Sequence, residues 1–239
     1  MISKTVLTLI ILFISAASLI AQFGSGKLGI ALNAVYTTSA DIYLNPNSSD
    51  VEVRNKSFLL EDIWNPGIDI RYRFTEEFIL GLNVEYIQKT RTLPNLSAPI
   101  NNQIYTFDVE DGLKTIPIEL TAYYFFPFST ERFKFLMGGG IGYYYGNFIR
   151  KFADVDLEVT NRKITLGFLV ATSIDYMIFD HLSARLEMKF RNPQYNVTSK
   201  YSKTEADYNG TPVPLLQTPF ETKVDINGVT FVFGVVLQI

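Results

Sequence analysis

The sequence predicts an all-β protein: an eight-stranded antiparallel, up-and-down β-barrel that crosses a membrane, with long extracellular loops and short periplasmic turns. Three observations predict it. Apolar residues recur with period two in segments bounded by Gly, Pro, Asn and Asp, which is the signature of strands rather than of helices. The connections between segments alternate strictly between long and short, as in barrels with one elaborated rim. Charges inside the segments all fall on one of the two alternating faces, and that makes each strand two-sided.

The elements follow in order. MISKTVLTLIILFISAASLIAQ carries a lysine at position 4, an apolar run and then small residues, the layout of a secretory signal peptide over residues 1–21. The uncharged run is shorter than the roughly 20 residues a spanning helix needs. Residues 22–239 are then the barrel domain. Its strands are KLGIALNAVYT from Lys27, GIDIRYRF from Gly67, FILGLNVEYIQ from Phe78 and TIPIELTAYYFF from Thr115. FKFLMGGGIGYYYG from Phe133, KITLGFLVATSIDYMI from Lys163, HLSARLEMKF from His181 and GVTFVFGVVLQI from Gly228 complete the set. Thr75–Glu77, Pro127–Arg132 and Phe179–Asp180 supply tight turns, whereas 38–66, 90–114, 148–162 and 193–223 read as polar loops. Strand pattern in ADVDLEV and KVDI predicts two hairpins that project beyond the bilayer, and the phase slip at Asn227 and Gly228 predicts a bulge.

Which face meets which solvent decides the class. One face holds Ile68, Ile70, Tyr72 and Phe74 and their equivalents, and carries no charge. The other holds Asp69, Arg71, Arg73, Glu85, Glu119, Lys134, Asp175, Arg185, Glu187 and Lys189, five cations and five anions. A soluble lipocalin-like barrel would point the charges outward. The loop alternation, the balanced charges suited to pairing in a confined interior, and the glycines Gly29, Gly138, Gly140 and Gly142 on the charged face favour the reverse. The charged set is then a lumen network, with Arg71, Glu85, Glu119, Arg185 and Glu187 at its centre. Aromatic residues gather near the strand ends on the apolar face: Phe74, Tyr124, Phe133 and Tyr176 toward the short turns, Tyr86, Tyr143, Tyr145 and Phe190 toward the loops. Two lipid-facing girdles are expected from them.

Composition narrows function. The 239 residues are 47% hydrophobic and 14% aromatic, with a net charge of −3; no basic surface recommends nucleic acid. Cysteine is absent and histidine occurs once, so no metal-ligand cluster, cofactor motif or thiol nucleophile is expected. His181 falls in a short turn, away from the loop rim where a histidine base could serve an outward-facing hydrolase. Glu85 and Glu119 could act as an acid–base pair, but neighbouring arginines would keep them ionised and inert. The first loop is acidic, with Asp41, Asp50, Glu52, Glu61 and Asp62, and could hold a divalent cation or meet a cationic partner; a solvated loop is the simpler reading.

The topology, the run GGGIGYYYG at 138–146 and the terminal strand VTFVFGVVLQI resemble the small outer-membrane barrels of the OmpA, OmpX and OmpW type, in the form common among Bacteroidetes-like bacteria. The terminal strand is similar to the signal read by the barrel-assembly machinery, although it ends in Ile239 rather than Phe. The resemblance implies a Gram-negative outer-membrane location, both termini in the periplasm, and outer-membrane lipids and the assembly machinery as partners. It also implies a non-enzymatic role: binding or passage of small solutes through loops and a narrow or gated lumen, or else a structural or adhesive surface barrel with a closed lumen. Lipid modification is a third, weaker expectation.

Overall fold

The structure is a computed structural model that describes residues 27–163 and 165–239, so the expected signal peptide lies outside the described residues. Its elements are β1 (Leu28–Tyr43), a single-turn helix α1 (Val51–Asn55), β2 (Ser57–Arg73), β3 (Phe78–Glu85) and β4 (Ile87–Ile100). They continue with β5 (Gln103–Phe125), β6 (Phe133–Phe152), β7 (Val155–Arg162), β8 (Thr165–Phe179) and β9 (Leu182–Arg191). β10 (Gln194–Tyr201), β11 (Glu205–Tyr208), β12 (Thr211–Pro214), β13 (Phe220–Asp225) and β14 (Thr230–Gln238) complete the chain.

Antiparallel pairing closes a ring in the order β1, β2, β3, β5, β6, β8, β9, β14 and back to β1. Closure leaves the ring without an edge, so every backbone donor and acceptor within it can be paired. Leu28 N–H donates to Ile239 O at 3.1 Å and Ile239 N–H to Leu28 O at 2.7 Å, which fastens the first described strand to the last.

The charged face points in. Asp69, Glu85, Glu119 and Glu187 are all 3% exposed or less, while Leu166 and Phe168 are 72% and 82% exposed. The soluble-barrel phase is thereby excluded, because water would not tolerate a continuous apolar exterior of this extent. All eight expected girdle residues lie on the outer face; Phe74, Tyr86, Tyr124, Phe133, Tyr145, Tyr176 and Phe190 are exposed and Tyr143 half-buried.

Lumen glycines give tyrosine rings room. A Cβ on Gly138 would lie 2.7 Å from the Tyr123 ring, and one on Gly146 only 2.2 Å from Tyr195.

The expected loops differ from the observed ones. Residues 90–114 are mostly the extended hairpin of β4 and β5, and 38–66 the continuation of β1 and β2 around α1. Their polar composition arises because the outer face of these extensions meets water, while the inner face still packs. β7 and β13 are the two hairpin strands the pattern predicted. The bulge also occurs: Thr38 to Ala40 on β1 face Ile226 to Val229, three residues against four, between the two ladders.

Candidate functional site

The interior is stratified, and inward-facing residues along β5 sample each layer in turn: Tyr123, Glu119, Thr115, Leu113, Asp111 and Val109. Period-two geometry keeps this whole series on one face.

Nearest the short turns lies one connected ionic network. Arg185 grips Asp175 with Nε and Nη2, both at 2.7 Å, and reaches Asp69 with Nη1 at 2.7 Å. Arg71 donates from Nε to Asp69 at 2.9 Å and from Nη2 to Glu187. Lys189 lies 3.9 Å from Glu187 and donates to Glu85 at 3.1 Å and Glu119 at 3.0 Å. Arg191 binds the same two carboxylates, at 2.8 Å to Glu85 and 2.7 Å to Glu119. Hydroxyls finish the set: Tyr144 donates to Glu119 at 2.9 Å, and Tyr123 accepts from Arg71 at 3.0 Å.

All nine charged members are 5% exposed or less. Ions so far from water are tolerable only when multiply paired. Each acid here has one cation or more, and Glu85 and Glu119 share two. At this level the interior is filled by mutually paired side chains.

Two of the ten charges expected in this network stand apart from it. Arg73 is exposed and Lys134 half-buried, at the short-turn mouth. Among the described residues Arg73 makes no ion pair; its guanidinium lies 5.0 Å from the Phe125 ring centroid, and the Lys134 ammonium 5.9 Å from the same centroid. Lys134 faces Asp175 in register, but Asp175 is held by Arg185. In turn, the sequence reading missed Arg191, Tyr123 and Tyr144. Arg191 was legible as the next term of the series Arg185, Glu187, Lys189.

Beyond the network the interior becomes apolar. Ile42, Leu60, Ile63, Ile87, Leu113 and Phe148 are fully or almost fully buried together with Tyr195, whose hydroxyl pairs with Thr115 at 2.5 Å. Farther out, Arg150 clasps Asp111 at 2.6 and 2.7 Å, with Asn95 donating to Asp111 at 3.1 Å. A second apolar cluster, including Val109, Phe152, Val155 and Tyr201, caps the long-loop end.

The wall beside the apolar layer has a seam. Among the described residues β6 pairs with β8 as far as Tyr144 and Thr165, and with β7 at Lys151 and Phe152. Between those points β7 turns away to pair with β10. Arg162 straps the gap, donating to Asn147 at 2.5 Å and to the Tyr145 hydroxyl at 2.7 Å. A pocket of about 310 Å³ opens there, lined by Tyr143 to Gly146 and Val159 to Lys163.

The acids of the first loop are dispersed among separate tasks. Asp50 caps α1, accepting from Glu52 N–H at 2.8 Å; Asp62 accepts from Tyr36 and Asp41 from Ser57. No group of three or more metal-ligating side chains occurs among the described residues. His181 is exposed in the turn between β8 and β9.

No family model matches this sequence, and no curated protein is detectably similar to it. Solved structures do resemble it. The outer membrane protein OprG from Pseudomonas aeruginosa superposes with a TM-score of 0.62 at 15% identity, over 90% of this chain and 96% of that one. Neisserial surface protein A matches at a TM-score of 0.47 and 14% identity, over 91% of this chain and 100% of its own. The attachment invasion locus protein Ail of Yersinia pestis matches at 0.48 and 9%, over 90% and 99%. With OprG carrying the argument, the fold of this chain is that of the small eight-stranded outer-membrane β-barrels.

Proposed function

We propose that the protein is an integral outer-membrane barrel, with both termini in the periplasm, that binds or passes small apolar or amphipathic solutes through its wall rather than along its lumen. The observation that carries this reading is the stretch of β6 beside the apolar layer that, among the described residues, has no backbone ladder to β8 or β7 and is spanned by side-chain bonds from Arg162. Below that layer, nine buried charges block an aqueous path. An apolar solute entering from the loop end would pass the Arg150–Asp111 pair, meet the apolar layer, reach the seam beside the Tyr143–Tyr145 girdle and leave into lipid without crossing the nine-charge network. The expectation of a gated charged lumen gives way to a charged plug with a lateral exit. Outer-membrane lipids and the barrel-assembly machinery remain the partners of this reading, and no catalytic residue enters it.

Removing the strap tests it. Arg162→Ala is expected to speed uptake of a small arene into lipid vesicles holding the full-length protein about threefold or more, given bonds worth roughly 1 kcal/mol. Ion conductance in planar bilayers should stay negligible for both proteins. Equal uptake by vesicles with and without protein would remove the transport reading and leave the structural or adhesive one.

A further inference from the structure

The short-turn mouth opens into a small vestibule of about 100 Å³, lined by Lys27, Arg71, Arg73, Lys134 and Arg185, with Asp175 the one acid in its lining. Asp175 is already committed, both of its oxygens bound by Arg185. Arg73, Lys134 and Lys27 form no ion pair among the described residues, and the first two both lie within 5.9 Å of the centroid of one ring, Phe125. At the inner end Arg71 is 5% exposed, and its Nη1 is buried with no hydrogen-bond partner. Glu76, Glu77 and Glu131, in the turns of this rim, pair with none of these cations; Glu77 accepts from Thr75 at 3.1 Å. The Ile239 carboxylate belongs to the same rim, where its residue's backbone is held by Leu28.

Elsewhere in the interior each buried cation has its acid. Here cations gather with almost no acid to answer them, around apolar surface from Ile79, Phe125 and Leu136. Like charges held this close repel, and a polyvalent anion converts that repulsion into charge-assisted hydrogen bonds. We propose that the vestibule is a binding site for a phosphate group attached to an apolar or glycerol-like body. Arg73 and Lys134 would grip the phosphate from β2 and β6, and Phe125 would take the body. A dianion suits the site better than a carboxylate, because cations approach from two strands. A phosphate monoester in free solution and the monoester headgroup of phosphatidic acid from the adjoining leaflet carry the same chemistry.

Full-length protein refolded in an uncharged detergent provides the test, read by NMR shifts of Phe125 and Lys134 signals. Inorganic phosphate and glycerol 3-phosphate form one titration series and short-chain phosphatidic acid the other. Saturable shifts with the soluble phosphates support the site with a free ligand; shifts only with the lipid support it with a headgroup. In both cases Lys134→Gln alone, and Arg73→Gln with Lys134→Gln, should weaken binding roughly tenfold or more. Lys163→Gln at the opposite end should change nothing. All three variants keep the buried network, and heat-dependent gel migration verifies that each folds. No saturable shift in either series, or equal affinity in the double variant, overturns the proposal.

Discussion

Glu119 and Leu113 lie on the same strand, face the same interior and are both buried, yet one belongs to an ionic lattice and the other to an oily core. Their outward neighbours explain the contrast. Beside Glu119 the exposed residue is Leu120; beside Leu113 the outward residue is Lys114. The same inversion occurs on β2, from Asp69 with Ile68 to Ile63 with Asp62, and from Lys189 with Phe190 on β9 to Val197 with Asn196 on β10. Where lipid surrounds the wall, apolar residues go out and polar ones must pair inside; where water surrounds it, the ordinary core-inside arrangement returns. The height of the bilayer is thus written as a reversal of phase along otherwise continuous strands.

If the two layers differ in this way, they should fail differently. Arg191→Ala strands Glu85 and Glu119 with only Lys189 between them, and the expected loss of stability is about 3–5 kcal/mol, measured by denaturant unfolding in detergent micelles. Leu113→Ala in the oily layer should cost about 2–4 kcal/mol. It should also recover part of that loss when a small arene is added, since the cavity it leaves is lined by apolar side chains. No arene can do the same for Arg191→Ala, and rescue of both variants to the same degree would erase the distinction between the layers.

The smallest effect concerns the loop end. The Glu221 carboxyl accepts from Asn196, Lys163 and Asn47, and these bonds hold its pKa below the usual carboxylate range, with the Asn196 bond the largest cause. A carboxyl lowered in the folded state contributes stability that is present above its unfolded pKa and lost as pH falls through the folded value. For a half-buried carboxyl whose lysine partner is exposed the contribution is under ~1 kcal/mol. Amide exchange at Asn47 and Asn196 should therefore stay slow through the ordinary glutamate range and quicken only below it. In Glu221→Gln that acid step should vanish.

Period-two alternation carried most of the fold, because eight strands in lipid must be two-sided and glycine or asparagine must punctuate them. What it concealed lay above the bilayer. Segments such as DVEDGLK, at 108–114, look like solvated loop because the outward positions are charged, while Val109, Asp111 and Leu113 point inward in strict alternation. Asp111 and its partner Arg150 were hidden by that composition. Arg191 escaped for a smaller reason: Asn192 and Pro193 follow it, and a strand read by its apolar face ends at Phe190. The separation of β7 from β6 has no sequence mark, since a backbone ladder that stops short leaves the side-chain pattern unchanged.

The reciprocal bonds between Leu28 and Ile239 have a temporal consequence. The ring is sealed by β1 against β14, so nothing made before the last strand can finish it. A polypeptide halted before Val232 would present two raw edges, β9 and β1, and would leave its charged inner face open to whatever it met. The arrival of β14 and the closure of the wall are one event, and a chain broken off before it identifies itself by the edges it cannot hide.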